Sequence, residues 1–173
     1  MPDEKTLCEE FRAVHTGIPP PERERYGSRV RHMPEPSTSP SDFPFSHRIR
    51  VRFSETDAMG IVHHSRYLPY LEEARVAYLR HVGHPYSGLR DDGVDYAVLE
   101  AHVTYRKPLR FDDVVSVHLM VSAASRASFS MSYLVTIDDE IHATARTMHG
   151  CVNAEGRPIR MPRWLLDMAP APD

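Results

Sequence analysis

The densest group of reactive side chains in this 173-residue sequence is the run Glu55-Thr56-Asp57-Ala58-Met59-Gly60-Ile61-Val62-His63-His64-Ser65-Arg66-Tyr67. An Asp, a Gly and two His within eight residues are the ingredients of acyl transfer. A carboxylate can attack a carbonyl or activate water, and an imidazole can position that water or donate to a leaving group. Gly60 lets backbone approach a reacting group closely. On chemistry alone Asp57 is either the reacting carboxylate or a turn residue. His64 is either an assisting group or a helix-start residue bonded to backbone, and His63 is a structural or cleft-lining residue.

The elements around this run follow from hydrophobic periodicity. Ile49, Val51 and Phe53 alternate with Arg48, Arg50 and Arg52, the pattern of a half-buried strand. A turn-rich stretch from Ser54 to Ser65 follows. Tyr67, Tyr70, Leu71, Ala74, Tyr78 and Val82 then fall on one face of a helix, with Glu72, Glu73, Arg75 and Arg80 elsewhere. Pro69 sits in its first turn and Gly83 at its expected end. The N-terminus of such a helix offers free N–H groups and a positive dipole end to a developing oxyanion. Glu72 stands three residues before Arg75, so a surface ion pair is expected there. Tyr67 and Tyr70 read as core or interface rather than catalytic.

Four further strands are expected from alternation at Ala97–Tyr105, Val115–Val121, Phe129–Ile137 and Ile141–Cys151, the last the weakest. Asp138-Asp139 marks a tight hairpin and Ala123 to Ala127 a looser one. Arg163 to Met168 reads as a short closing helix. One strand, one apolar helix and a four-strand meander predict an α+β fold, an antiparallel sheet wrapped around a central helix.

Residues 1–44 differ in composition. Pro19, Pro20, Pro21, Pro34, Pro36, Pro40 and Pro44 punctuate polar residues, so a Pro-rich, mostly disordered extension is expected, with one short helix from Leu7 to Val14. Residues 45–173 form the expected folded domain. The formal net charge is −3, which argues against nucleic-acid partners. Cys8 and Cys151 lie far apart, so a disulfide framework is not expected and a cytoplasmic setting is. No apolar run approaches a membrane span, and no signal peptide is visible. The eleven histidines are scattered, and adjacent His63 and His64 are expected to point apart. No metal site is expected.

The run from Asp57 to Leu68, continued by Tyr70-Leu71-Glu72-Glu73-Ala74-Arg75, resembles the 4-hydroxybenzoyl-CoA thioesterase family, most of all its branch of Tol-Pal-associated acyl-CoA thioesterases. That pattern is an Asp, two residues, a Gly, a short apolar pair and a His near the Tyr that opens a long helix. Tyr105-Arg106-Lys107-Pro108-Leu109-Arg110-Phe111-Asp112-Asp113 matches a second stretch. The resemblance spans roughly residues 46 to 155 and implies a hotdog fold, assembled as a homodimer or homotetramer with the active site at the subunit interface. It implies that Asp57 is the nucleophile or general base and His64 its assistant. One departure is His63, where the family usually has an aromatic residue.

The expected activity is hydrolysis of short- or medium-chain or aromatic acyl-CoA, with CoA as part of the substrate and no separate cofactor. One carboxylate with oriented N–H donors can suffice for a thioester, because a thiolate leaves easily. Gly60, Val62, His63 and Tyr67 are the expected oxyanion or substrate-binding positions. Arg106, Lys107, Arg110 and Arg126 are the candidates for the CoA phosphates. A helix Glu, Glu72 or Glu73, is the other carboxylate that some hotdog enzymes use. The alternatives are hydrolysis of thioesters on acyl carrier protein and a non-catalytic acyl-CoA-binding hotdog module.

Overall fold

The computed structural model describes residues 33–170. The Leu7–Val14 helix and most of the expected extension lie outside them. Five strands form one antiparallel sheet in the order β1-β3-β4-β5-β2. They are β1 (Phe45–Arg50), β2 (Asp95–Tyr105), β3 (Val114–Ala124), β4 (Ser128–Ile137) and β5 (Glu140–Val152). The long helix α1 (Tyr67–His81) packs chiefly on β1 and β3. This is the hotdog arrangement expected above. A short helix α2 (Tyr86–Asp91), not anticipated, follows α1, and α3 (Arg163–Leu166) closes the chain.

Alternation explains the inner layer. Val115, Val117, Leu119 and Val121 of β3 and Phe129, Met131, Tyr133 and Val135 of β4 are buried and meet Tyr67, Tyr70, Leu71, Ala74, Tyr78 and Leu79 of α1 in one core. The helix ends where Gly83 adopts φ +84° and the His84 N–H returns to the Leu79 carbonyl at 2.9 Å, a Schellman-type stop. Asp138 and Asp139 both have positive φ (45° and 67°), the twisted two-residue turn that suits a hairpin.

Three expectations are corrected. The meander covers only β3, β4 and β5: β2 pairs with β5 at the far edge, and residues 106–113 cross back to β3. The first strand ends at Arg50. Val51 is buried just beyond it, but Phe53 enters a 3-10 turn, Phe53–Glu55, and is 75% exposed. Arg75, expected on the outer side of the helix, is 3% exposed. Its ion pair with Glu72 forms as expected, Nη2 to Oε1 at 2.5 Å.

The described chain reaches into the expected extension. Pro40–Asp42 form a 3-10 turn, Phe43 is buried, and its ring meets His118 at 6.2 Å. Arg146 donates to the Met33 carbonyl at 3.3 Å and pairs with Glu35.

Candidate active site

The loop between β1 and α1 is built from short-range hydrogen bonds. The Gly60 N–H donates to the Asp57 carbonyl and the Asp57 N–H to the Ile61 carbonyl, both at 2.9 Å, while Thr56 and Val62 bridge in antiparallel fashion. Gly60 sits at φ +71°, a conformation a side chain strains. Within this turn Oδ1 of Asp57 accepts the Met59 N–H at 2.8 Å. That bond fixes the carboxylate and leaves its second oxygen for chemistry.

Glu55 anchors the loop from below. It is 5% exposed. It accepts from the Arg52 N–H at 2.8 Å, the Arg52 guanidinium at 3.0 and 2.8 Å and the Tyr70 hydroxyl at 2.7 Å. Burial alone would raise its carboxyl; the Arg52 N–H, the Tyr70 hydroxyl and the Arg52 guanidinium together hold it below the ordinary value. Burial, with that same Glu55 contact, pushes the Tyr70 phenol up. The sequence marks Glu55 as one of a reactive cluster; the fold makes it the loop's buried anchor.

A 3-10 turn, His64–Arg66, leads into α1. The His63 Nδ1 accepts the Ser65 N–H at 3.3 Å, which caps that turn. The two His rings do not point apart: their centroids are 4.0 Å apart with planes 37° apart, because the tight turn keeps successive side chains on one side.

A cleft of about 350 Å³ gathers Asp57, Val62, His64, Tyr67, Arg106 and Lys107. Its walls are tied together across three segments. The Tyr105 hydroxyl donates to the His64 carbonyl at 3.2 Å, the rings of Tyr67 and Tyr105 meet edge-on at 4.9 Å, and the Val62 N–H donates to the Leu109 carbonyl at 2.8 Å. Tyr67 is buried, as is Val62, and burial raises its phenol. The N–H groups of Arg106 and Lys107 both donate to the His142 carbonyl, at 2.9 and 3.1 Å, so β5 sets where these cations stand. The Lys107 ammonium pairs with Glu140, whose carboxyl this contact holds low.

Other expected site residues lie elsewhere in the single chain. Gly60 shapes the turn and has its N–H engaged, so in this conformation it is no oxyanion donor. His63 caps the turn rather than lining the cleft. Arg110 is exposed beyond Leu109, outside the cleft lining. Arg126 belongs to the β3–β4 connection, at the end of the sheet away from Tyr105, because Ser128 pairs with Gly150 whereas Tyr105 pairs with Ala143. Glu73 bonds His47 at 3.2 Å and Glu72 faces Arg75, so neither helix carboxylate lines the cleft.

Residues 51–168 match the thioesterase-like superfamily. The chain is 46% identical over 125 residues to a "putative esterase" of Aquifex aeolicus, covering 72% of this chain and 97% of that protein. It is 32% identical over 122 residues to the "putative acyl-CoA thioesterase YneP" of Bacillus subtilis, covering 67% and 88%. Among solved structures, a DHNA-CoA thioesterase from Staphylococcus aureus superposes with a TM-score of 0.66 at 28% identity, covering 70% of this chain and 83% of that one.

Proposed function

Because the chain belongs to the thioesterase-like superfamily, we propose that it hydrolyses acyl-CoA thioesters to free acid and CoA, with Asp57 as the reacting carboxylate. The observation that supports this reading is the shared cleft: the Asp57 carboxylate, held through one oxygen, lines it together with His64, Arg106 and Lys107. The free oxygen of Asp57 attacks the thioester carbonyl or takes a proton from the attacking water. His64 assists by positioning that water or protonating the departing sulfur. Its place in the turn also aligns it with the assisting His of the Tol-Pal-associated branch, beside which we place the chain. The buried face of Tyr67 and Val62 receives the apolar part of the acyl group next to the carbonyl. No separate cofactor enters this scheme, and the cytoplasm is the setting in which we place it. Hydrolysis of a panel of short, medium and aromatic acyl-CoAs, followed by thiol release, tests the reading. No turnover across the panel would overturn it.

Arg106 and Lys107 stand where the CoA phosphates would leave the cleft. Phosphate contacts remote from the carbonyl bind ground and transition states alike. Replacing both residues with Ala therefore raises KM for acyl-CoA more than it lowers kcat, and has a much smaller effect on the matching acyl-pantetheine. Arg110→Ala and Arg126→Ala change KM less. Equal losses on both substrates would move the phosphate site elsewhere.

The subunit arrangement we propose is argued from β2. Among the described residues it is an edge strand paired with β5 alone, and Val98, Leu99 and Tyr105 are 55%, 47% and 50% exposed. An unpaired, apolar edge favours pairing with a second copy, and Tyr105 carries that edge to the cleft. A homodimer, or a tetramer built from it, is the expected state by light scattering at micromolar concentration. A fully active monomer would refute an active site at the subunit boundary.

A further inference from the structure

The two cations of the cleft are held differently. Arg106 has no carboxylate partner among the described residues, whereas the Lys107 ammonium meets Oε1 of Glu140. Lys107 lines the cleft and Glu140 does not, so the ammonium ends on a carboxylate outside the cleft lining.

The main chain on both sides of this contact is fixed. The His142 carbonyl accepts the N–H groups of Arg106 and Lys107 at 2.9 and 3.1 Å. The His142 ring is buried and its Nδ1 donates to the Pro108 carbonyl at 3.1 Å. Three bonds therefore tie residues 106–108 to β5. Glu140 opens that same strand and pairs with Ile137 across the two-residue turn Asp138-Asp139. Its second oxygen lies 3.5 Å from Nε2 of His142. Asp138, Asp139 and Glu140 are all exposed, so the hairpin tip presents three successive carboxylates beside the Lys107 wall.

The ion pair itself is exchangeable. The Lys107 and Glu140 side chains are 50% and 55% exposed, and a pair that open to water is held weakly. A phosphate monoester brings about two charges and three strong acceptor oxygens, more than one carboxylate offers. The flexible stem of Lys107 can make the move while its main chain stays tied.

We propose that Glu140 is a built-in competitor for the CoA phosphate at Lys107, occupying the ammonium until a phosphate displaces it. This rests on the acyl-CoA reading above. CoA arrives in the substrate and leaves as a product, so a phosphate contact strengthens the hold on both. Glu140 loosens that hold at both stages and lets free CoA depart after hydrolysis.

Glu140→Gln keeps the side chain's size and removes its charge. The variant is expected to lower KM for acyl-CoA roughly threefold, the scale of an exposed ion pair. The inhibition constant of free CoA falls by the same factor, and kinetics on the matching acyl-pantetheine stay as in wild type. In a Lys107→Ala background the gain from Glu140→Gln disappears, because the two residues act as one pair. Calorimetric titration with free CoA gives a readout that needs no turnover, and binding is tighter to Glu140→Gln than to wild type. An unchanged or raised KM in Glu140→Gln overturns the proposal, as does an equal gain on acyl-pantetheine. A gain that persists in full without Lys107 also overturns it, since it assigns the effect to the general field of the acidic tip. If no thioester is hydrolysed but Glu140→Gln binds CoA more tightly, the competition stands and the proposed activity falls. If thioesters are hydrolysed and both proteins bind CoA equally, the activity stands and the competition falls.

Discussion

Asp57→Asn is expected to lower kcat by at least about 10²-fold, the lower end of what general-base help contributes. The substitution preserves size, and its carbonyl oxygen can still accept the Met59 N–H that Oδ1 accepts at 2.8 Å. What it removes is the negative charge that attack on a carbonyl or on water requires. The turn itself is held by backbone bonds, so the variant should melt close to wild type. His64→Ala is expected to cost less, since the role proposed for the imidazole is only to assist. Glu73→Gln is the control: its carboxylate bonds His47 outside the cleft, and its loss should leave turnover near normal. Full activity in Asp57→Asn together with inactivity in Glu73→Gln would move the reacting carboxylate from loop to helix.

Acid sensitivity is the second large effect, and it comes from His149. Burial, aided by the nearby charge of Arg75, pushes this imidazole down to about 3, from an ordinary value of 6.5. Between those values the unfolded chain binds a proton that the folded chain does not. Stability therefore rises with pH across that interval and is lost as pH falls below about 6.5. The slope approaches about 1.4 kcal/mol per pH unit, so at pH 5 roughly 2 kcal/mol has gone. His118, also held low by burial, adds in the same direction. The lowered carboxyl of Glu55 begins to add only near and below its ordinary 4.5. Urea unfolding at pH 7.5, 6 and 5 is the measurement. His149→Asn cannot titrate and should show a flatter dependence than wild type; parallel curves for the two proteins would discard His149 as the sensor.

What could be read in the sequence was what repeats locally. The alternating residues of β3 and the stripe from Tyr67 to Tyr78 each see two environments, so periodicity reports them. The cluster of Asp57 and His64 is contiguous, and the turn that joins them needs only neighbouring residues. What escaped depends on distant partners. The place of β2 beside β5 is a choice among edges that no alternation within Ala97–Tyr105 reveals. Phe53 continues the period of Ile49 and Val51, but Glu55 pulls the chain into a turn and turns the ring outward. Arg75 falls at the margin of the apolar stripe, and it takes the distant Tyr86, whose ring lies 5.8 Å from the guanidinium, to help make that margin interior. Arg110 and Arg126 are basic and near strand ends, as a phosphate site requires, but which end matters, and that is a property of register.

The crossing of residues 106–113 has a consequence in time. Asp95 pairs with Val152 and Tyr105 with Ala143, so β2 has no strand to join until β5 has been made and has found β4. β3, β4 and β5 can zip through successive hairpins, whereas β2 closes a much longer loop, the slow kind of contact. On a ribosome the apolar edge of Val98 and Leu99 emerges well before its partner residues in β5, and until they arrive it stays exposed to whatever is nearby. Tyr105, Arg106 and Lys107 travel with it. One wall of the candidate cleft is thus set in place last, and a chain cut short before β5 keeps Asp57 and His64 but has no second wall to set against them.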